Sequence, residues 1–301
     1  MKVIIADSIS SAAVKGLKEL GIEVVEKTSI EKDELINEIA NYDGIIVRSR
    51  TKVRKDVIDR AGGNLKFIVR AGVGLDNIDV DYANEKGIDV MNTPEASTNG
   101  VAELAVGHML ALLRHIPRGT SSMKSGEWIK KELVGRELGG KTVGIIGMGR
   151  IGKRTAELVS AFGTRVLGYD PYVEKAEGID VEITDLDGLL TQSDIISLHI
   201  PHTDETHHII GKEELKKMKD SAYLINCARG GIIDEAELYD ALKNGVIAGA
   251  AMDVFEEEPP RDSKLMELDN FISTPHIGAQ AVEAKNRVGE EVVKKVASKL
   301  Q

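Results

Sequence analysis

One segment constrains the fold more than any other: it begins at Thr142 and reads TVGIIGMGRIGKRTAELVSAFGTRVLGYD. Its first apolar run, Val143–Ile146, predicts a short buried strand of a parallel sheet. A helical stretch follows, and a second apolar run, Val166–Tyr169, predicts a second strand. Between the first strand and the helix lie three glycines with the spacing G-x-G-x-x-G, namely Gly147, Gly149 and Gly152. This order of strand, glycine turn, helix and strand predicts part of a doubly wound α/β sheet.

The glycine turn predicts a dinucleotide site, because each glycine has a physical task there. The first permits the tight turn, the second lets the backbone approach a pyrophosphate, and the third lets the helix pack on the strand. The N terminus of the helix adds unpaired N–H groups and a partial positive charge. A strand-to-helix turn without a ligand is the alternative, and the flanking strands and helix disfavour it. The residues expected at the phosphates are Gly147, Gly149, Arg150, Ile151 and Gly152.

The acid that ends the second strand, Asp170, indicates which dinucleotide binds. A carboxylate at this position accepts hydrogen bonds from the ribose hydroxyls and repels a 2′-phosphate, so NAD is favoured over NADP. Pro171 and Tyr172 follow, and no arginine stands beside the acid to hold a phosphate. Asp170 can also cap the turn before Pro171, and the two roles are compatible.

The composition is that of an ordinary globular protein long enough for two domains, with 301 residues, 42% hydrophobic and 29% charged. The net charge of −10 offers no basic surface for nucleic acid or for an anionic membrane. Cys227 is the only cysteine, so no disulfide can form within the chain, which fits a reducing compartment. The start, MKVIIADS, has too short an apolar run for a signal peptide. We therefore expect a cytoplasmic protein without nucleic-acid or membrane partners.

Short apolar strands alternate with helical stretches along most of the chain, which predicts parallel sheets covered by helices. Early strands are expected at Val3–Ala6, Glu23–Val25, Gly44–Val47, Lys66–Val69 and Ile88–Met91. Beyond the glycine segment, strands are expected at Asp194–Leu198, Ala222–Asn226, Ala248–Met252 and Phe271–Ser273. The predicted fold class is α/β, with two doubly wound parallel-sheet domains: a smaller flavodoxin-like domain and a larger Rossmann domain. Ligands of such folds bind beyond the carboxyl ends of the strands.

Two helices stand apart from this alternation. A long one is expected to begin at Ser97 or Thr98 and to continue through Leu113, with Pro117 ending it. The final helix begins at about Ala281, and periodicity alone does not say where it packs. Its apolar stripe is expected to contain Val288, Val292, Val296 and Leu300.

Three polar residues at the ends of predicted strands form a possible catalytic set. Arg229 lies in LINCARGG, Glu258 closes MDVFEEEP, and His276 lies in STPHIGA. An alcohol that loses a hydride must also lose its hydroxyl proton, and imidazole is the natural base near neutral pH. A carboxylate on the other ring nitrogen would orient the imidazole, and a guanidinium would hold a substrate carboxylate at two points. Taken singly, the three residue types favour a structural ion pair, a solvated acid and a loop histidine.

Four motifs in this order, GMGRIG, NCARGGIIDE, AMDVFEEEP and STPHIGA, resemble those of the D-isomer-specific 2-hydroxyacid dehydrogenases. The resemblance covers essentially the whole chain, and it implies that Arg229, Glu258 and His276 are catalytic. It also implies a discontinuous substrate domain, residues 1–92 with 283–301, around an NAD-binding domain of residues 93–282. The NAD contacts that it implies beyond the glycine turn are Asp170, Cys227, Ala228, Arg229, Asp253, His276, Gly278 and Ala279.

Three further motifs, RAGVGLDNID, MNTPEASTNGVAELAVG and SMKSGEW, are similar to the D-3-phosphoglycerate dehydrogenase branch of that family. By this resemblance Arg48 and Arg70, each at a strand end, bind the substrate phosphate; the alternative is a pair of arginines on a solvated rim. The other substrate contacts that it implies are Ser49, Gly72, Val73 and Gly74. Some relatives carry an arginine where this chain has Lys130, which keeps the charge but lacks the two-point geometry of guanidinium.

The resemblance therefore implies NAD-dependent oxidation of 3-phospho-D-glycerate to 3-phosphohydroxypyruvate on the route to serine, by a homodimer with the helix near residues 97–117 at its interface. A glyoxylate or hydroxypyruvate reductase, or another D-2-hydroxyacid dehydrogenase, is the enzymatic alternative. An NAD-sensing protein similar to a transcriptional corepressor is the alternative of a different class. No metal is expected, because His202, His207 and His208 lack a clear ligand spacing. The sequence stops at Gln301 after the final predicted helix, so control by serine through an added C-terminal domain is not expected.

Overall fold

The chain forms two compact units in a computed structural model that describes residues 1–300. The first unit contains residues 1–97 and the chain from Ala279 onward, and the second contains residues 98–278. The first unit holds the strands β1 Lys2–Ile5, β2 Glu23–Glu26, β3 Gly44–Val47, β4 Phe67–Arg70 and β5 Asp89–Asn92. The second holds β6 Thr142–Ile146, β7 Arg165–Tyr169, β8 Glu182–Ile183, β9 Ile195–Leu198, β10 Tyr223–Asn226, β11 Gly249–Met252 and β12 Phe271–Ser273.

Helices alternate with these strands as the sequence predicts. Those in the first unit are α1 Ser11–Glu19, α2 Lys32–Glu38, α3 Lys55–Arg60, α4 Val80–Glu85 and the final helix, α11 Val282–Ala297. Those in the second unit are α5 Thr98–Leu113, α6 Ile116–Lys124, α7 Arg150–Ser160, α8 Leu186–Gln192, α9 Lys212–Lys217 and α10 Glu235–Lys243. Short 3₁₀ turns occupy Ile39–Asn41, Lys130–Glu132 and Lys264–Glu267.

The first unit is built on a five-stranded parallel sheet with the order β2-β1-β3-β4-β5, which is the flavodoxin-like order. Its central strand β3 is buried throughout, because an inner strand of a parallel sheet has packed layers on both faces. Val47 at the end of β3 pairs in register with Arg70 at the end of β4. Arg48 therefore follows one residue beyond the end of β3, and both arginines lie at the carboxyl edge of this sheet.

The second unit is built on a seven-stranded parallel sheet with the order β12-β11-β10-β9-β6-β7-β8. The six strands from β6 to β11 have the Rossmann order, and β12 adds one strand at the edge. The direction in which successive strands are added reverses between β6 and β9. Ligands of such sheets bind at this reversal. Both sheets therefore confirm the predicted α/β class with two doubly wound parallel sheets.

Two local features differ from the sequence prediction. The strand β8 was not expected, because it has only two residues at the sheet edge and pairs only with Leu167 and Gly168. Pro117 does not end the long helix. Instead α5 ends at Leu113, and His115 takes a left-handed conformation with φ 52°. Pro117 then lies in the first turn of α6, where proline is tolerated because its missing N–H would have no helical partner.

The final helix α11 packs against α1 within the first unit. Val288, Val292 and Val296 are buried as the stripe predicts, whereas Leu300 is exposed because the helix ends three residues earlier, at Ala297. The approach is close at Gly289, where an added Cβ would lie 2.3 Å from Oγ of Ser10.

In the part of the chain that the structure describes, every helix is too short or too polar to span a bilayer.

Candidate active site

The glycine turn has the shape that a pyrophosphate needs. Gly147 has φ 95°, and an added Cβ would lie 2.6 Å from the carbonyl oxygen of His199. A Cβ on Gly152 would lie 1.9 Å from the carbonyl oxygen of Gly147, so this turn also excludes any side chain there. Gly149 differs, since a Cβ there would meet nothing within 4 Å. It opens α7 without a side-chain cap, so the N–H groups of Arg150 and the residues after it remain available for an anion.

Asp170 is held beside this turn by the backbone. Its Oδ2 accepts a hydrogen bond from the N–H of Met148 at 2.9 Å, and its Oδ1 accepts one from the N–H of Tyr172 at 3.0 Å. The carboxylate thus caps its own turn and still keeps lone pairs for ribose hydroxyls, because a carboxylate offers about four acceptor positions. The capping role and the cofactor role considered from sequence are therefore geometrically compatible.

The side chain of Asn226 fixes the backbone of the turn after β10, which carries Arg229. Asn226 donates from Nδ2 to the carbonyl of Arg229 at 2.8 Å, and its Oδ1 accepts from the N–H of Ala228 at 3.0 Å. The next residue, Gly230, packs so closely that a Cβ would lie 1.9 Å from the carbonyl oxygen of Phe255. Arg229 is thereby held against the segment that leads to Glu258.

Glu258 and His276 form the hydrogen-bonded pair that the sequence suggested. Nδ1 of His276 lies 2.8 Å from Oε2 and 3.0 Å from Oε1 of Glu258. A carboxylate can only accept, so Nδ1 carries a proton in this arrangement, and Nε2 is left as the basic nitrogen of the neutral ring. The imidazole of His276 therefore has the tautomer that a general base requires.

The electrostatics of Glu258 support the same pairing. Partial burial favours the neutral acid and raises its pKa. The hydrogen bond from His276, the charge that this ring carries when it is protonated, the N–H of Phe255 and the charge of Arg229 act in the opposite direction. These outweigh burial and hold the pKa of Glu258 below its ordinary value, so the group is a carboxylate at neutral pH.

Asp253 shapes the loop that carries His276. It is 1% exposed, and its Oδ1 accepts from Oγ1 of Thr274 at 2.5 Å and from the N–H of Ile277 at 2.8 Å. Its Oδ2 accepts from the N–H of Gly278 at 2.8 Å. Both oxygens therefore accept hydrogen bonds within the protein, and this carboxylate holds the Thr274 side chain before His276 and the backbone after it.

Two residues that the sequence did not assign to the site complete this support. Thr274 and His108 are joined, with Nε2 of His108 lying 3.1 Å from Oγ1 of Thr274. Burial lowers the pKa of His108, and the charge of Asp253 opposes the shift only in part, so this ring is neutral at neutral pH. The usable signal was a histidine within the apolar helix α5, because a buried polar side chain needs a partner.

Two other side chains near these strand ends are not reactive groups. Burial, with a smaller contribution from the charge of Asp253, raises the pKa of Cys227 far above its ordinary value, which leaves a thiol rather than a nucleophilic thiolate. Burial lowers the pKa of His199 strongly, so its ring is neutral and is hydrogen-bonded to Oγ of Ser197 at 2.9 Å. Both residues serve packing around the turns.

The three histidines after β9 are linked to one another rather than scattered. Nε2 of His202 lies 3.0 Å from Nδ1 of His207. His207 stacks on His208, whose Nε2 lies 2.9 Å from Oε1 of Glu256. Within residues 1–300, no group of three or more His, Cys, Asp or Glu side chains is arranged to hold a metal ion.

The predicted substrate residues all lie in the first unit, where a buried acid organises them. Asp7 accepts from the N–H of Arg48 at 2.6 Å and from the N–H of Thr51 at 3.1 Å, which shapes the turn after β3. Its Oδ1 pairs with Nε of Arg50 at 3.0 Å, so Arg50 neutralises it. Neither Asp7 nor Arg50 was singled out from sequence, because both tasks depend on contacts distant along the chain.

The turn after β4 brings Arg70 beside Ser49. Nη2 of Arg70 lies 3.5 Å from Oγ of Ser49, and a Cβ on Gly72 would lie 1.5 Å from Nη1 of Arg70. Gly72 has φ 151°, a backbone conformation that favours glycine, whereas the contact involves the flexible end of the Arg70 side chain. The N–H groups of Ala71 and Gly72 already donate to carbonyls of Val47 and Arg70.

Within residues 1–300, the N–H groups of Val73 and Gly74 donate to no backbone carbonyl and are therefore open to a carboxylate. The turn is held in place by Asn92, whose Nδ2 donates to the carbonyl of Val73 at 2.6 Å. Of the substrate contacts predicted in this turn, Gly72 therefore has an N–H that already donates within the protein.

The predicted residues thus fall into two groups. One group lies in the second unit and contains Gly147, Gly149, Arg150, Ile151, Gly152, Asp170, Cys227, Ala228, Arg229, Asp253, Glu258, His276 and Gly278. The other lies in the first unit and contains Arg48, Ser49, Arg70, Gly72, Val73, Gly74 and Ala279.

Comparisons with known proteins agree with this geometry. Residues 106–278 match the family described as D-isomer specific 2-hydroxyacid dehydrogenase, NAD binding domain. The chain is 50% identical to a D-3-phosphoglycerate dehydrogenase of Methanocaldococcus jannaschii, over 100% of this chain and 58% of that protein. It is 53% identical to a hydroxypyruvate reductase of Thermotoga maritima, over 92% of each.

A solved structure shows the same likeness in three dimensions. A D-lactate dehydrogenase of Aquifex aeolicus, complexed with NAD and lactic acid, superposes with a TM-score of 0.87 at 35% identity. The match covers 100% of this chain and 95% of that one. The chain spans little more than half the length of the phosphoglycerate dehydrogenases that it matches. From the family match, the full-length likeness to the reductase and the turn at Gly147, we conclude that the chain belongs to the D-isomer-specific 2-hydroxyacid dehydrogenases and contains their NAD-binding domain.

Proposed function

We propose that this protein oxidises 3-phospho-D-glycerate to 3-phosphohydroxypyruvate with NAD, a step toward serine. The single observation that supports the chemistry best is the contact of Glu258 with Nδ1 of His276, which leaves Nε2 as a proton acceptor. The substrate is supported by the likeness to D-3-phosphoglycerate dehydrogenases and by the arginines at the strand ends of the first unit.

In this mechanism Arg229 holds the substrate carboxylate through its planar, two-point donor geometry. Nε2 of His276 takes the proton of the C2 hydroxyl as C2 gives up its hydride, so that C2 becomes a carbonyl. NAD, when bound, supplies the hydride acceptor. The carboxylate of Glu258 stabilises the imidazolium that forms and keeps the ring oriented.

The second unit fits NAD on physical grounds. The Gly147 turn has no room for side chains on its inner side, while Gly149 faces open space. We propose that this turn and the first N–H groups of α7 hold the pyrophosphate, and that Asp170 binds the ribose and disfavours NADP. The remaining proposed NAD contacts are Cys227, Ala228, Asp253, Gly278 and Ala279.

In the first unit, Arg48 and Arg70 are proposed to hold the phosphate, with Ser49 beside Arg70. The N–H groups of Val73 and Gly74 are proposed to hold the substrate carboxylate together with Arg229. A phosphate dianion gains charge-assisted hydrogen bonds from guanidinium that an unphosphorylated acid does not.

A second candidate is reduction of hydroxypyruvate or glyoxylate. The observation that favours it is the likeness to the Thermotoga maritima hydroxypyruvate reductase, which matches this chain over 92% of its own length. The catalytic set would be the same, and only the dependence on the substrate phosphate would differ.

The deciding experiment follows NADH absorbance with a panel of D-2-hydroxy acids and 2-keto acids, phosphorylated and unphosphorylated. We expect kcat/KM for 3-phosphohydroxypyruvate to exceed that for hydroxypyruvate by about tenfold or more, as one charged hydrogen bond implies. A ratio near one would favour the reductase assignment, and absence of turnover on the entire panel would favour an NAD-sensing role.

We also propose that the protein works as a homodimer in the cytoplasm. The segment from α6 onward exposes large apolar side chains, with Met123 58%, Trp128 77% and Val134 81% exposed in the single chain. Such side chains are typical of an interface. The mass in solution from light scattering tests the dimer, and a monomeric mass would reject it. The cytoplasmic location is supported by Cys227, a single buried thiol that forms no disulfide, as is usual in a reducing compartment. Cell fractionation tests this location.

A further inference from the structure

The first unit contains a small pocket, here called the cationic pocket, of about 160 Å³. This is far more than the ~10–15 Å³ that a single water needs. Its lining residues are Ser8, Ile9, Ser10, Arg48, Lys285 and Val288. The pocket thus combines two cations and two hydroxyl groups, and its lining includes no acid.

Neither cation of the pocket has a partner among the residues that the structure describes. Within residues 1–300, the guanidinium of Arg48 and the ammonium of Lys285 form no hydrogen bond or ion pair. Arg48 is instead held by its backbone: its N–H donates to Asp7, and its carbonyl accepts from Asn77. Arg50 is the contrast, since its side chain pairs with Asp7 and donates to carbonyl oxygens.

Arg48 is half-buried and Lys285 is exposed, and both line one concavity whose lining includes no acid. An anion bound there would be attracted by both charges. The chain has a net charge of −10, with 49 acids to 39 Lys and Arg, so partners for these cations are not scarce in the sequence. Because no acid lines the pocket, the anion that pairs with Arg48 and Lys285 would have to be a ligand.

The packing of α11 explains why Lys285 reaches this pocket. Gly289 permits the close approach of α11 to Ser10 and Ala13, where an added Cβ would lie 2.3 Å from Oγ of Ser10. Lys285 lies one helical turn before Gly289 and therefore on the same face of the helix. Val288, 7% exposed, lies between them in sequence and lines the pocket as well.

We propose that the cationic pocket binds a phosphate dianion, and that Lys285 is a specificity-determining residue beside Arg48. In this scheme Arg48 offers two parallel N–H donors, Lys285 a compact charge and Ser8 a hydroxyl donor. The phosphate belongs to the phosphorylated 2-hydroxy acid, and this part rests on the proposed function. Free inorganic phosphate has the same chemistry, so the experiment separates the two sources.

The proposal adds to the pair Arg48 and Arg70 a residue that no motif indicated. Arg70 lies against Gly72 and beside Ser49 in the turn after β4. Lys285 instead comes from the final helix, more than two hundred residues away along the chain.

The test compares Lys285→Met with Lys285→Arg and with a control, Lys294→Met, in the full chain. Lys294 is exposed on the same helix and is not among the pocket residues. The measured quantity is the ratio of kcat/KM for 3-phosphohydroxypyruvate over hydroxypyruvate. We expect Lys285→Met to lower this ratio about tenfold, mainly through KM, as loss of one charged hydrogen bond implies. Lys285→Arg should stay within about threefold and Lys294→Met within about twofold of the wild type.

Binding of inorganic phosphate, followed by calorimetry without substrate, is the second measurement. We expect Lys285→Met to weaken it at least about fivefold and phosphate to compete with the phosphorylated substrate. Weakened phosphate binding with an unchanged ratio would overturn the substrate assignment and leave a free-phosphate site. No change in either quantity would overturn the pocket itself. If the wild-type ratio is near one while phosphate binding depends on Lys285, the proposed function fails and the pocket stands.

Discussion

Two clusters of charged side chains, one in each unit, differ in how their members are paired. In the second unit, Glu258 accepts from His276, and Asp253 accepts from three donors in the loop around it. In the first unit, Arg48 and Lys285 line a pocket, and their charged groups have no partner within residues 1–300.

The difference reflects two tasks. A general base must be oriented before the substrate arrives, so the protein satisfies the groups that hold it. A group that binds an anion gains most when its charge is left for the ligand, because a prior ion pair would have to be broken first. In these two clusters, internal hydrogen bonds accompany the positioning of His276, and unpaired charges accompany the proposed binding of an anion.

The largest effect is expected from removing the base. His276→Asn should lower kcat by roughly 10²–10⁴, because the hydroxyl proton loses its acceptor. Binding of NAD, measured by fluorescence titration, should stay nearly unchanged. Turnover close to wild type would show that another group is the base and would break the contrast drawn above.

A smaller effect is expected from removing one arginine of the first unit. Arg70→Ala should raise KM for the phosphorylated substrate by roughly 10–100-fold, as loss of a charged hydrogen bond implies. Activity on hydroxypyruvate or glyoxylate should change much less. Arg60→Ala is the matched control, since Arg60 is exposed at the end of α3. An equal loss on both kinds of substrate would mean that Arg70 serves the fold rather than the phosphate.

Cofactor choice tests whether Asp170 acts by charge. NAD should exceed NADP in kcat/KM by at least about tenfold, because one unfavourable charge contact costs on the order of 1–2 kcal/mol. Asp170→Asn, which keeps the shape and removes the charge, should narrow this preference. Equal use of both cofactors by the wild type would contradict the assignment.

The smallest effect is expected on stability as a function of pH. The pKa of Glu258 is lower in the folded state than in the unfolded state. Glu258 therefore adds to the free energy of unfolding at pH values above its unfolded-state pKa, and this contribution is lost as the pH falls through its folded-state pKa. Its side chain is 39% exposed, so screening limits the contribution to about 1 kcal/mol or less.

Urea unfolding of the wild type, Glu258→Gln and the control Glu257→Gln measures this contribution. The Glu258 variant should be less stable than the wild type at pH 7, with the gap closing below about pH 4. Glu257 is exposed and lies next to Glu258, so its variant should track the wild type. A gap that widens in acid would have the wrong sign for a depressed pKa.

Much of the fold was predictable because parallel strands have strong local signals. Apolar runs such as Gly44–Val47 and Phe271–Ser273 became strands with the expected ends, since glycine, proline or polar residues bound them. The edge strand β8 was not predictable, because two residues have no periodicity. Pro117 was misjudged because proline is compatible with both the end of one helix and the first turn of the next.

The candidate site was predictable where chemistry follows the chain. The motifs located Arg229, Glu258 and His276, and the membership in the family that they suggested is confirmed. The roles of these residues stay predictions. The support from His108 to Thr274 was not visible, because 166 residues separate the two and only packing brings them together.

The sequence by itself determined the local elements: the glycine turn before α7, the acid after β7 and the alternation that produces two parallel sheets. These follow from backbone conformation and from hydrophobic patterns of a few residues, which need no distant contact. Only the tertiary structure decided which ring nitrogen of His276 faces Glu258, which N–H groups of the turn after β4 remain open, and that Lys285 joins Arg48. Those outcomes depend on how closely two packed segments approach each other, as α11 and Ser10 do at Gly289. The sequence of either segment alone does not determine that distance.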